Sequence, residues 1–201
     1  MKLYRTVLVV VAMTTVAGCV TMAGNGLRDL ERATPREVPR VEQTIGDFSF
    51  HLDGGKMITS IKAGRLLNDE ILGRWKKWGY ISSQTYVKSG SFTGAADYEL
   101  TLGGNQDGDS SIMLQLISGL SLMVIPYYVD TRYNVIYDLR NRHTGATYRA
   151  AVSDSHNTII SLLMIPASPF AQGGRTKTWD RIAENLYAQL QTQGAFSSGQ
   201  P

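Results

Sequence analysis

With 201 residues the chain has room for one ordinary domain and a small appendage, and not for two comfortable domains. A hydrophobic fraction of 43% and a charged fraction of 18% exclude a generally disordered chain, and a single cysteine excludes an internal disulfide framework. The 20 Lys and Arg outnumber the 17 Asp and Glu, but Lys2 and Arg5 lie in a leading segment without acids. Without them the balance is 18 to 17, poor evidence for a nucleic-acid binder, which usually carries a clustered basic face.

Lys2 and Arg5 form a positive start, and Val7 to Val16 is an apolar run weakened by Thr14 and Thr15. Such a run, ending in small residues, reads as an export signal; a spanning helix needs about 20 apolar residues. Val16-Ala17-Gly18-Cys19 then resembles the lipobox of bacterial lipoproteins, with Val16 in place of the more usual Leu. The resemblance covers residues 1–19. It implies diacylation of the Cys19 thiol, cleavage before it, and often acylation of the new amine. Val20 follows where inner-membrane lipoproteins of enteric type carry Asp, so the resemblance implies the outer membrane. Each buried acyl CH₂ contributes about 0.8 kcal/mol, so two or three chains hold firmly.

Val20 to Thr44 reads as a flexible tether. It carries Gly24, Gly26, Pro35 and Pro39 and alternating charges from Arg28 to Glu42, with a short helix over Gly26–Ala33 an option that Pro35 would end. Four interleaved acids (Asp29, Glu31, Glu37 and Glu42) oppose a headgroup-binding role for the arginines.

The folded domain is expected from Ile45. Phe48 and Phe50 alternate with Asp47, Ser49 and His51, as in a first strand. Residues 56–78 read as a helix, with Ile61, Gly64, Leu67, Ile71, Trp75 and Trp78 on one arc and Gly79 as the stop. The Trp75/Trp78 pair reads as core packing before a ligand platform. Strands are expected over Tyr80–Lys88 and Ala96–Leu102, with a polar loop at Asn105–Ser111 and a long uncharged stretch at Ile112–Val129. Arg132–Arg140 and Ala146–Ser153 read as a hairpin around Asn141–Gly145, where Gly145 supplies a positive φ. Trp179, Ile182, Ala183, Leu186 and Leu190 mark a closing amphipathic helix of about 14 residues. The expected fold is α+β: a mainly antiparallel sheet packed with two amphipathic helices, after a lipoprotein signal peptide and tether. The expected organisation is a signal peptide (1–18), a lipidated tether (19–44), one periplasmic domain (45–192) and a disordered tail (193–201).

Ser121-Leu122-Met123-Val124-Ile125-Pro126 and Ser161-Leu162-Leu163-Met164-Ile165-Pro166 share the pattern Ser-Leu-x-x-Ile-Pro, 40 residues apart. They bracket the hairpin, so antiparallel pairing brings both to one edge of the sheet, and each ends in a proline that stops regular pairing. Two readings stand: both segments are core, or Leu122, Ile125, Leu162 and Ile165 dip into a bilayer with Tyr127 and Tyr128 at headgroup level. Gly79-Tyr80, Ala96-Asp97-Tyr98 and these Ile-Pro segments are also similar to small, poorly characterised proteobacterial envelope lipoproteins, a resemblance that implies no activity.

Catalytic signals are scarce. His51, His143 and His156 have no partner at i+3 or i+4, and no nucleophile elbow or free thiol remains once Cys19 is acylated. Asn105, Asp107 and Asp109 open like a calcium loop, but Gly108 is misplaced and Leu116 holds the twelfth position. Gly103-Gly104 and Gly173-Gly174 lack a phosphate-loop setting, and Arg175 and Lys177 suit at most a surface contact. No metal, cofactor, nucleic acid or enzymatic activity is expected. Two classes remain: a non-enzymatic envelope lipoprotein that binds a protein partner, and a module that binds a lipid or another apolar small molecule.

Overall fold

The computed structural model describes residues 18–35, 37–52, 55–88, 91–164 and 173–196. In chain order these form β1 (Gly18–Ala23), β2 (Arg40–Leu52), β3 (Ile58–Thr59), α1 (Ile61–Lys77), β4 (Ser83–Tyr86), β5 (Tyr98–Ser110), α2 (Ile112–Leu120), β6 (Tyr127–Asn141), β7 (Thr147–Ser161) and α3 (Gly173–Thr192). The strands make one sheet in the order β1-β7-β6-β5-β2-β3, with β4 paired to the start of β2. The fold is α+β, and its sheet is mixed. β1/β7, β7/β6, β6/β5 and β2/β3 run antiparallel, whereas β2 runs parallel to both β5 and β4. The parallel pair follows from connectivity: α1 and β4 carry the chain back to the starting end of β2 before β5 begins.

α1 starts where the Ser60 hydroxyl accepts the Ala63 amide at 3.2 Å. Arg74, Lys76 and Lys77 occupy its last turn, where cations suit the helix dipole. Its buried face is Gly64, Leu67, Ile71, Leu72 and Trp75, while Ile61, expected on that face, is exposed. α3 buries all five expected positions from Trp179 to Leu190, and runs longer than the periodicity implies. Trp75 sits at the junction of helices and sheet. Its ring meets Tyr137 and Tyr187 edge-on at 5.6 Å, and its indole N–H donates to the Ala183 carbonyl at 2.9 Å. Core packing is thus its role.

Tyr133, Val135, Tyr137 and Leu139 of β6 and Tyr98, Leu100 and Leu102 of β5 point into this core, as their alternation requires. The β6/β7 hairpin forms around residues 141–146, with Gly145 at φ +73°. Both strands have 15 residues and extend well past the apolar alternation.

The sequence reading needs four corrections. First, residues 20–44 are no free tether: 18–23 are a sheet strand, and 24–35 run against α3. Gly24 donates to the Ser155 carbonyl at 2.7 Å, Lys177 pairs with Asp29 at 2.8 Å, and Asn185 donates to the Arg28 carbonyl at 3.0 Å. Leu27 and Ala33 pack on the core, and no helix forms over Gly26–Ala33. Of the charges in this run, Asp29 and Arg32 have partners on α3, Lys177 and Glu184. Second, β2 begins at Arg40, because its early polar residues are satisfied inside. Glu42 accepts from the amide and hydroxyl of Thr93, which holds its carboxyl below the usual range. Gln43 donates to Asp69 at 2.9 Å and accepts from Asn68, which in turn accepts from the Tyr137 hydroxyl.

Third, the polar loop at 105–111 is mostly strand. β5 continues to Ser110 with Asn105 opposite Asn134 and Gly108 opposite Thr131, and pairing with β2 and β6 overrides weak strand propensity. Fourth, residues 193–196 belong to the fold rather than to a tail. Phe196 is buried against Tyr98 and Tyr187, and its amide donates to the Tyr98 hydroxyl at 3.1 Å. Residues 197–201 lie outside the described residues.

Candidate functional site

The two Ser-Leu-x-x-Ile-Pro segments meet at one end of the sheet. The Leu162 amide donates to the Met123 carbonyl at 2.7 Å, and the Ser161 hydroxyl donates to the same oxygen at 3.1 Å. Register explains the encounter, since Tyr127 at the start of β6 lies opposite Ile160 at the end of β7. Before β6 comes α2, capped by Ser111 and built from Ile112, Met113, Leu114, Leu116, Ile117 and Leu120. Only Ser118 of this helix is buried. Leu120 is 88% exposed, Leu122 69%, Leu163 64% and Ile125 44%. Tyr128 is exposed, while Tyr127 and Leu162 are half-buried. Ile165 lies outside the described residues. The core reading therefore fails for Leu122 and Ile125, which face outward.

The helix stops in an uncommon way. Leu122 and Met123 adopt φ of +53° and +63°, the left-handed region that costs a side-chain-bearing residue about 1–2 kcal/mol. The turn repays this with closed backbone hydrogen bonds: Ser121 N to Ile117 O, Leu122 N to Gly119 O, Met123 N to Ser118 O and Val124 N to Ser121 O. The Ser121 hydroxyl also donates to the Ser118 carbonyl and accepts the Ile125 amide. The amides of the turn are satisfied while its apolar side chains are bare. No Asp, Glu, Lys or Arg occurs from Ser110 to Val129.

Cys19 lies at the same end. It is a free, exposed thiol on β1, opposite Ile160, which in turn lies opposite Tyr127. Two strand spacings thus separate Cys19 from Tyr127, about 10 Å. β1 is held closely on its helix side: a Cβ on Gly174 would fall 2.0 Å from the Thr21 carbonyl oxygen, so only glycine admits that approach. The Thr21 and Thr158 hydroxyls add a 3.2 Å hydrogen bond between β1 and β7.

The three histidines do not converge. His51 is on β2, and His143 is in the β6/β7 turn with Nε2 3.5 Å from Asp97. His156, expected in a loop, is buried on β7 beside Tyr133, and burial pushes its pKa down. His51 and Ser155, the neighbour of His156, share a row but stand three strands apart, about 14 Å. Among the described residues no group of three His, Cys, Asp or Glu is placed to hold a metal ion. Asp107 and Asp109 sit on paired β5 backbone, where the Asn105 amide donates to Asp107 at 2.5 Å; they form no cation loop. Gly103-Gly104 is also within β5, and Gly173-Gly174 opens α3 against β1.

Two buried polar pairs escaped the sequence reading. Arg181 Nη2 lies 2.8 Å from Asp154 Oδ2 and donates to Oδ1 at 3.1 Å, and Oδ1 also accepts the Gly26 and Ser155 amides. The Tyr80 hydroxyl donates to the Glu184 carboxylate at 2.9 and 3.1 Å, and burial pushes both groups' pKa values up. Beside this pair a cavity of about 230 Å³ opens between Asp29, Arg32, Trp78, Lys177 and Glu184. The first pair ties α3 to β7 and to Gly26, and the second ties α3 to the segment that follows α1.

No family model and no curated protein matches this sequence. Among solved structures the chain is similar to the crystal structure of XCC0632 from Xanthomonas campestris, of family DUF330. The identity is 11%, the TM-score 0.39, and the match covers 85% of this chain and 95% of the other. It is also similar to the PelC dodecamer from Paraburkholderia phytofirmans, at 10% identity and a TM-score of 0.33, covering 83% and 98%.

Proposed function

We propose that this protein is a lipid-anchored lipoprotein of the bacterial cell envelope, held at the outer membrane through acyl chains on Cys19. It faces the periplasm and acts without catalysis, as an interaction or assembly component. The observation that supports the anchor is the position of Cys19: an exposed thiol at the start of an edge strand, beside an uncharged apolar projection. A thiol there is open to alkylation, and the nearby segment from Ser110 to Val129 carries no Asp, Glu, Lys or Arg.

The interaction role draws on the opposite face of the sheet. Asp138, Arg140 and Arg149 are exposed there, and no helix of the described residues packs over them. The alternative, a module that encloses a lipid or another apolar small molecule, calls for an apolar hollow. The cavities at Arg32 and Glu184 and at Asp97 and His143 are instead bordered by charged side chains.

Labelled fatty acid supplied to cells should enter the wild-type protein, and Cys19→Ala should abolish incorporation and leave precursor or soluble protein. A Cys19→Ala variant that still takes up label and stays in the membrane fraction would defeat the anchor. A mild-detergent pull-down should retain specific envelope proteins. Bound lipid in native mass spectrometry with no retained protein would favour the alternative.

A further inference from the structure

We infer that α2 and the turn after it insert into the same leaflet that receives the acyl chains of Cys19, so that the domain is held at two points in one orientation. This rests on the proposed anchoring through Cys19. The decisive fact is the missing linker. Cys19 is already the second residue of a sheet strand, with Val20 opposite Ile159 and Thr21 opposite Thr158. Acyl chains on its sulfur therefore leave the body of the domain directly. They leave at the end where Tyr127, Ile160 and α2 gather, about 10 Å away in the sheet direction.

A domain attached in this way keeps α2 within reach of the membrane surface. The projection suits that position. Its nine-residue helix is about 14 Å long, and interfacial helices lie along the surface with the apolar face buried about 5–10 Å deep. Lipid penalises unpaired backbone groups, and every amide from Ser121 to Ile125 is paired. Its side chains at Met113, Leu116, Leu120 and Leu122 are bare, and no charge interrupts the segment. Tyr128 is exposed at its base, at the depth where tyrosines favour headgroups. In this pose the β6/β7 hairpin stands its turn at 141–146 roughly 45–50 Å from the bilayer. The polar sheet face is then presented sideways to partners.

The test uses the chain from residue 19 onward with Cys19→Ser, which keeps β1 and removes the acylation site. It is mixed with vesicles of phosphatidylethanolamine containing a minority of phosphatidylglycerol and floated on a density gradient. Binding is expected, and Leu120→Asp with Leu122→Asp should weaken it by more than tenfold, on the order of the insertion penalty for two acids, with circular dichroism unchanged. In the same background Leu120→Cys carries the sole cysteine. A polarity-sensitive dye there should shift to the blue with vesicles, a readout that does not depend on the double variant folding. No flotation, or no dye shift, overturns the inference. Self-association without vesicles that the double Asp variant abolishes would assign the face to a second copy instead. Failed fatty-acid labelling with vesicle binding intact would remove the anchor and leave α2 as the membrane contact.

Discussion

Arg181 and Asp154 are 6% and 0% exposed at their side chains, and their ion pair also receives the amides of Gly26 and Ser155. Removing one partner leaves a buried charge alone. Arg181→Met should therefore cost about 3–5 kcal/mol in urea unfolding, and adding Asp154→Leu should recover part of that loss. Asp97 behaves differently, near the surface. Hydrogen bonds from Arg40 draw its carboxyl down to about 2, so the folded state prefers it ionised. Its contribution is complete above the ordinary carboxylate value of about 3.9 and disappears as pH falls towards 2. A series of urea melts should show that acid loss, and Asp97→Asn should flatten it. Neither pair was legible in the sequence. Asp154 and Arg181 are common surface types, and only the inward phase of β7 and α3 buries them.

At the level of elements, α1, α3 and the β6/β7 hairpin were legible because each has one wet and one dry face, which imposes a period on the residues. α2 was not. Its segment is uncharged throughout, so no polar face betrays the helical repeat, and the stretch reads only as apolar. The structure turns that uniformity into an exposed helix, with a direct consequence for stability. Leu120→Ser should change the melting free energy by no more than about 0.5 kcal/mol, whereas Leu190→Ala, in the core face of α3, should cost about 2–5 kcal/mol. Thermal melts of the two variants side by side test this. Equal losses would mean that α2 is packed in solution. The continuation of β5 through Asn105–Ser110 was illegible for the opposite reason. Its side chains favour a turn, and the hydrogen bonds that hold it come from β2 and β6.

The whole molecule depends on β1 being part of the sheet. Gly174 makes this possible, and Gly174→Leu would drive a side chain into the Thr21 carbonyl. The expected result is release of β1 and residues 24–35 from α3, at about 1–3 kcal/mol, with a helical and sheet content otherwise preserved. Trypsin should then cut at Arg28 and Arg32 far faster than in the wild type. Unchanged protection would show that the segment is held by Asp29, Arg32 and Gly26 without β1. With β1 released, the domain would hang from Cys19 on a tether of the kind the composition of residues 20–44 suggests, and α2 would lose its enforced position.

The sequence by itself determined the α+β class, both amphipathic helices, the central hairpin and the coming together of the two Ser-Leu-x-x-Ile-Pro segments. All of these follow from local periodicity and from the geometry of one antiparallel turn. Only the tertiary structure decided that the sheet is mixed and that the leading charged segment packs on α3. It alone placed Leu122 and Ile125 outside the core. The first two depend on pairings between residues distant in sequence: Val41 with Tyr98 for the parallel strands, and Cys19 with Ile160 and Gly26 with Asp154 for the leading segment. An apolar residue carries no mark of whether it will meet core or solvent. That is settled when the rest of the chain closes over it, and over α2 it does not close.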